Sequence, residues 1–396
     1  MTLTRIREGG LLGSRQYGTT PTTTTAKTTT TSSSANPANA TRCGCICRVS
    51  TNYLPSRACL RVVRGGVFDH DGEKDVFGTL NILNPDVVKA AAQEVQDGIS
   101  ISLNWPIGSI KIPGFFRKSL THKVMKLEDP SANLHYGFDD EVEFNTQASS
   151  QWDSLCHFMH LPSGKAYNGV TPTIARMEDP TAATQKLPTL DSKSNPIPHN
   201  TTISNIDPDW HKRGCITGRG VLIDFKSYAE KKGITYSPFT GFRISPSDIE
   251  AVAAYQGLSF KEGDILIIRF GVTEALGNMT GEEQAAAMAS YSVCGIEGTI
   301  EMARWLWNHH FAAIASDNIA VEAMPPMEGE EVLPLTSLVL HQWCLGLFGM
   351  PLGELWDLKA LADVCEEKKR YSFLLTSAPL NVPGAVGSPP NAIAIL

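Results

Sequence analysis

The chain has 396 residues, of which 42% are hydrophobic, 19% charged and 8% aromatic. That apolar content can bury a large core, which excludes disorder throughout, and no run approaches the roughly 18 uninterrupted apolar residues of a membrane-spanning helix. The net charge of −7 is unevenly placed: residues 1–66 hold nine basic side chains against the single acid Glu8, so residues 67–396 carry −15. An acidic body excludes nucleic acid and anionic membrane as main partners, because phosphate binding needs a positive surface.

Residues 1–66 form a Thr-, Ser- and Arg-rich leader with almost no apolar periodicity. Such a segment cannot bury enough surface to offset its chain entropy, so it is expected to be disordered. Its composition fits either an organelle transit peptide or a plain tail, and it lacks the apolar stretch of a secretory signal. The expected location is cytoplasmic, with mitochondrial import as the alternative. Four of the nine cysteines (Cys43, Cys45, Cys47, Cys59) lie here and five are scattered through the body, which is no disulfide framework.

Organised sequence begins near Asp75. Pro85-Asp86 opens a helix that stops at Gly98, and Ile99–Leu103 alternates as a half-buried strand does. Residues 171–209, rich in Pro, Thr, Asn and Asp, are expected to form a long surface loop. Val221–Phe225 and Ile265–Phe270 read as buried strands. Between them, Ser245-Pro246-Ser247-Asp248 carries cap chemistry for a helix ending at Gly257. Helices follow over 282–288 and 298–307, then a short strand over 312–315. Thr336-Ser337 caps an apolar helix over 338–347, and strands over 373–376 and 392–396 close the chain. Mixed strands and helices without a repeat predict one α/β or α+β domain over residues 67–396.

Several common catalytic signatures are missing: there is no G-x-S-x-G, no G-x-x-x-x-G-K-[ST] and no H-E-x-x-H. The suggestive cluster is Gln147-Ala148-Ser149-Ser150-Gln151-Trp152-Asp153-Ser154-Leu155-Cys156-His157-Phe158. Asp153 and His157 are four apart and would share one face of a helix, within reach of one divalent cation. The plainer reading is a capping Asp beside a buried, hydrogen-bonded His. His341 sits in an apolar helix where an imidazole facing the core needs a partner, and Glu354 precedes an amphipathic segment. Periodicity alone cannot bring these four together. Among the other candidates, His160 reads as an exposed turn residue and His211 as solvated. His309-His310 falls at a helix end, Trp105 and Trp152 read as core or substrate stackers, and Asp317 and Glu322 as structural carboxylates or pocket wall.

From Phe77-Gly78-Thr79-Leu80-Asn81 onward the chain resembles the cyclase family, which includes kynurenine formamidase and isatin hydrolase, and within it a fungal branch with glutamines in the signature. Aligned on Asp153, His157 and Phe158, the family motif H-x-G-T-H-x-D-x-P-x-H-F places its first two histidines on Gln147 and Gln151, its Gly-Thr on Ser149-Ser150 and its Pro on Leu155. The family's later His and Glu match His341 in Leu340-His341-Gln342 and Glu354 in Pro351-Leu352-Gly353-Glu354-Leu355. Gly218–Asp224, Gly263–Leu266 and Ser388–Ala392 match further landmarks, so the resemblance spans about residues 75–396.

The resemblance implies a swivelling-type β/α domain with a mixed central sheet, homo-oligomers, and a small-molecule substrate. It also implies one divalent metal ion, zinc or manganese, held by Asp153, His157, His341 and Glu354. His157 or Glu354 could instead act as general base, while Gln147, Gln151 and Trp152 would contact substrate. A glutamine amide is a poorer ligand than imidazole, which argues against a second metal. The implied activity is metal-dependent hydrolysis of an amide, lactam, cyclic imide or lactone. The alternative is a metal-independent cyclase, dehydratase or isomerase of a fungal secondary-metabolite pathway, and a third reading is a non-enzymatic binding protein on the same fold.

Overall fold

The computed structural model describes residues 66–178, 187–190, 210, 211 and 213–396. The leader and its cysteine run therefore lie outside the described residues, apart from Gly66, as does most of the segment expected to loop over 171–209. Within that segment the structure shows a short helix, Ile174–Glu178, and a buried stretch at Leu187–Leu190. Among the described residues no helix is long and apolar enough to cross a membrane.

The expected mixed sheet is present, with nine strands. In spatial order they are β1 (Ser100–Ser102), β15 (Ala392–Ile395), β13 (Ser372–Ser377), β5 (Ile216–Asp224), β7 (Ile265–Arg269), β9 (Ala313–Ser316), β12 (Leu352–Glu354), β4 (Gln151–Asp153) and β14 (Gly387–Ser388). The inner four, β5, β7, β9 and β12, run parallel, and every other pairing is antiparallel. Two-stranded pairs lie outside it: β2 (Thr121–Asp129) with β3 (Leu134–Glu143), β6 (Arg243–Ile244) with β8 (Gly295–Ile296), and β10 (Met327–Glu328) with β11 (Glu331–Val332).

The parallel core follows from its side chains. All five residues of β7, Ile-Leu-Ile-Ile-Arg, are buried, as expected of a strand covered on both faces, and β-branched residues fit that pleated surface. Two apolar clusters cover the faces. One holds Ile223, Ile268, Ile314 and Leu352, the other Leu222, Ile267, Ala315 and Phe373. The crossover helix Pro246–Gln256 starts on a complete capping box between Ser245 and Asp248, with Pro246 in its first turn. It stops at Gly257 in the left-handed region, φ 67°. Arg269, at the carboxyl end of β7, is tied to Asp224 at the end of β5 at 2.8 Å, so the charges that enter the core there are paired.

Three local expectations are corrected. The strand expected over Val221–Phe225 starts earlier, at Ile216, and takes in Gly218-Arg219-Gly220, where Arg219 makes a two-pronged contact to Asp264. Asp153 and His157 share no helix: Asp153 ends β4 and His157 lies in the turn that follows. The apolar helix is a π-helix, His341–Phe348, preceded by a separate 3-10 turn at Leu335–Ser337, so Thr336 and Ser337 do not cap it. Its far end is closed by Gly349, φ 71°, against Gly78. A Cβ on Gly78 would lie 1.9 Å from the Gly349 carbonyl oxygen, which explains the glycine in Phe77-Gly78-Thr79.

Candidate active site

The site forms where the parallel core gives way to an antiparallel neighbour. β12 and β4 pair with Glu354 opposite Gln151 and Leu352 opposite Asp153. Side chains alternate along a strand, so Gln151 and Asp153 share one face with Glu354, while Trp152 and Gly353 face the other way. Trp152 is therefore corrected from a substrate contact to a core residue. It is fully buried, packs edge-on against Trp356 at 4.9 Å, and donates its indole N–H to Ser377 Oγ. Trp105 is also in the core.

His341 arrives from the π-helix. Its placement depends on Glu322, whose buried carboxylate accepts the backbone N–H groups of Leu340 (3.1 Å) and His341 (2.9 Å) and lies 2.9 Å from His341 Nδ1. Glu322 thus satisfies the open start of the helix and fixes the ring with the same side chain. Gly298 makes room for it: a Cβ there would come within 2.6 Å of Glu322 Oε2. On the other side of the ring, His341 Nε2 lies 3.3 Å from Glu354 Oε1.

One ligand atom each from Asp153, His341 and Glu354 gather within 4.8 Å of one another, all three residues buried. His157, expected as a fourth ligand, is not in this group. It sits beside it, half-buried, with Nε2 3.9 Å from Asp153 Oδ2. It lies on the turn that follows β4 rather than on the strand that carries Gln151 and Asp153.

The two glutamines form an amide chain across the site. Gln147 Nε2 donates to Asp153 Oδ1 at 2.6 Å and lies 3.3 Å from His157 Nδ1. Gln151 Nε2 donates to Gln147 Oε1 at 2.6 Å and to Glu354 Oε2 at 2.5 Å. Each carboxylate is thereby left with one oxygen outside the amide chain. Asp153 Oδ2 and Gln151 Oε1 are buried and accept no hydrogen bond. Orphaned buried acceptors are costly, and two of them beside an imidazole nitrogen and a carboxylate make a cradle suited to a cation. The donor set, mostly oxygen with one nitrogen, fits a single divalent metal.

The electrostatics agree with crowded negative charge. Burial pushes the Glu354 carboxyl up, to about 7, and the neighbouring Asp153 charge adds to this while His341 opposes it. Burial alone would push His341 down, but its contacts with Glu322 and Glu354 outweigh that and hold it at about 10. His157 is lowered, mainly by burial, against the pull of Asp153.

The remaining candidates lie elsewhere. His160 is buried rather than exposed, with Nδ1 2.9 Å from Ser163 Oγ, and burial lowers its pKa. His211 Nε2 lies 2.8 Å from the Pro379 carbonyl oxygen, so it is not simply solvated. His309 caps the helix Ile300–Asn308, with Nδ1 2.9 Å from the Trp305 carbonyl, as a helix-terminal histidine should. Asp317 is structural: its carboxylate accepts the N–H groups of Phe270, Gly271 and Val272. Sequence reasoning singled out Glu322 without its tie to His341, and it missed Arg117. The Arg117 guanidinium donates to the Gln147 carbonyl at 2.9 Å and, more weakly, to Gln147 Oε1 at 3.4 Å. No sequence signal marks it.

Comparison with known proteins places the chain. The cyclase family model matches residues 101–323, and the chain belongs to the cyclase family. The match ends before His341 and Glu354. A solved structure described as a novel cyclase is 28% identical, covers 82% of this chain and 97% of its own, and superposes with a TM-score of 0.65. Isatin hydrolase A from Labrenzia aggregata is 15% identical, covering 79% of this chain and 98% of its own, with a TM-score of 0.44. Isatin hydrolase A from Ralstonia solanacearum is 14% identical, covering 78% and 97%, with a TM-score of 0.45. No curated protein matches the chain. The nine-stranded mixed sheet with its helices is the cyclase-family fold.

Proposed function

We propose that the protein is a metal-dependent hydrolase that opens an amide, lactam, cyclic imide or lactone bond of a small molecule. The observation that carries this reading is the convergence of Asp153, His341 and Glu354, with Asp153 Oδ2 and Gln151 Oε1 left without partners. These residues would hold one divalent cation, zinc or manganese. A cation bound there would supply Lewis acidity, lowering the pKa of water and polarising a carbonyl.

The chain's own residues supply the rest. Glu322 fixes the His341 ring through Nδ1 and leaves Nε2 facing Glu354, the carboxylate–histidine arrangement that raises ligand basicity. The glutamine chain occupies Asp153 Oδ1 and Glu354 Oε2, which supports one metal rather than two. His157 is the group free to move a proton. Its Nδ1 lies 3.3 Å from the Gln147 amide nitrogen and its Nε2 is on the side of Asp153. Hydrolysis of a C–N bond takes a proton from the attacking water and returns one to the leaving nitrogen, and the His157 imidazole would carry it between the two as imidazolium.

Metal analysis of the purified protein tests the reading. About one divalent ion per chain is expected, with loss of the ion and of hydrolysis of a lactam and imide panel in Asp153→Ala and His341→Ala. Full activity after stripping with a chelator would instead support the metal-independent cyclase, dehydratase or isomerase, for which His157 and Glu354 would be the acid–base pair.

A further inference from the structure

A cavity of about 160 Å³ opens beside Leu355 and Gln147, whose side-chain amide donates to Asp153 Oδ1. Its wall is apolar, including Ile112, Phe115, Met288, Tyr291 and Ile319, and among the described residues Arg117 is the only charged one that lines it. Phe115 and Tyr291 face each other at 5.5 Å, both partly exposed. Phe115 and Phe116 are each held at φ 58°, a region that residues with a Cβ rarely adopt. An apolar cavity of about 150 Å³ accommodates benzene, so this one has room for a single six-membered ring.

We propose that this cavity is the substrate pocket and that Arg117 is its anion anchor, selecting substrates that carry their own carboxylate on a single-ring apolar body. The inference rests on reading Asp153, His341 and Glu354 as the reacting centre. Arg117 lies over the Phe115 ring, 5.2 Å from its centroid, and spends two N–H contacts on Gln147. A guanidinium has five N–H donors in a planar fork, so a carboxylate can still be met by the rest. Charge sets the orientation. Arg117 attracts a substrate carboxylate to its side of Gln147, while a cation held by Asp153 and Glu354 would balance their charge on the other. The ring then lies against Phe115 and Met288, with the scissile carbonyl turned toward Asp153 and Glu354.

Binding of benzoate and of its neutral isostere benzamide, measured by calorimetry on the protein as purified and after chelation, tests this. Benzoate is expected to bind at least ten-fold tighter than benzamide in both preparations. Arg117→Met should remove that preference, Arg117→Lys should keep part of it, and Met288→Trp should abolish binding of both probes by filling the pocket. Equal binding of the two probes to the wild type overturns the proposal. So does a preference that survives Arg117→Met and vanishes on chelation, because the carboxylate would then be bound at the reacting centre. Benzoate selectivity that persists in the chelated protein stands whether or not the hydrolase reading does. Thermal melts of each variant identify any that fail to fold.

Discussion

Glu322→Gln separates the two tasks assigned to one carboxylate. In the wild type, Oε1 faces the backbone N–H and Nδ1 of His341 and Oε2 accepts from Leu340 N. An amide has one oxygen. If it stays on His341, its nitrogen confronts the Leu340 N–H at about the same distance, and if it turns, it confronts both donors of His341. Either way a buried N–H is left unpaired, at about 1–3 kcal/mol. Loss of the negative charge behind the imidazole should also weaken metal binding about 10–100-fold, roughly 1.4–2.8 kcal/mol. Urea denaturation of the metal-free protein reads the first effect, and competition against a chromogenic chelator reads the second. A variant that is less stable yet binds zinc as tightly as the wild type would refute the ring-orienting role and leave Glu322 as a helix cap alone.

Three further outcomes follow from the same geometry. Gly298→Ala places a Cβ 2.6 Å from Oε2 of Glu322, a carboxylate that three contacts, one to Oε2 and two to Oε1, hold in place. Its metal affinity should fall in the direction of Glu322→Gln, and unchanged affinity would show that the carboxylate moves aside freely. Gly353→Ala puts a methyl 2.7 Å from Ala315 Cβ and 2.9 Å from Trp356 Nε1, so overpacking of about 1–3 kcal/mol should appear as a lower urea midpoint. Glu366 is held down at about 2 by hydrogen bonds from Lys231, Lys369 and Tyr371. A carboxylate with a depressed folded pKa stabilises above its ordinary pKa and loses that contribution as pH falls toward 2. Glu366→Gln should therefore lower the melting temperature at pH 7, by a modest amount for a partly exposed group, and the difference should shrink toward pH 2.

Much of the scaffold was legible in the amino-acid order because it rests on local chemistry. The capping box at Ser245 and Asp248, the stop at Gly257 and the apolar run of β7 each state their own conformation. The ligand residues were legible only through the motif, since Gln151 and Glu354 are 203 positions apart. The four-residue spacing of Asp153 and His157 suggested a helix, although a strand end and a turn deliver the same proximity. The alternation Gln151-Trp152-Asp153 already held the information that Trp152 points away, once a strand rather than a helix is assumed. Arg117 and the contact of Glu322 with His341 could not be read at all. Each depends on where a distant backbone brings its partner, the Gln147 amide in one case and the first turn of the π-helix in the other.

The pairing of β4 with β12 has a consequence for how the molecule matures. A ribosome must add the later strand before the earlier one has its neighbour, so the cradle cannot exist on a partly synthesised chain. Cation uptake would then be a late event that reports the joining of β4 to β12, and a stalled or clipped polypeptide lacking Glu354 would hold Asp153 without the means to use it.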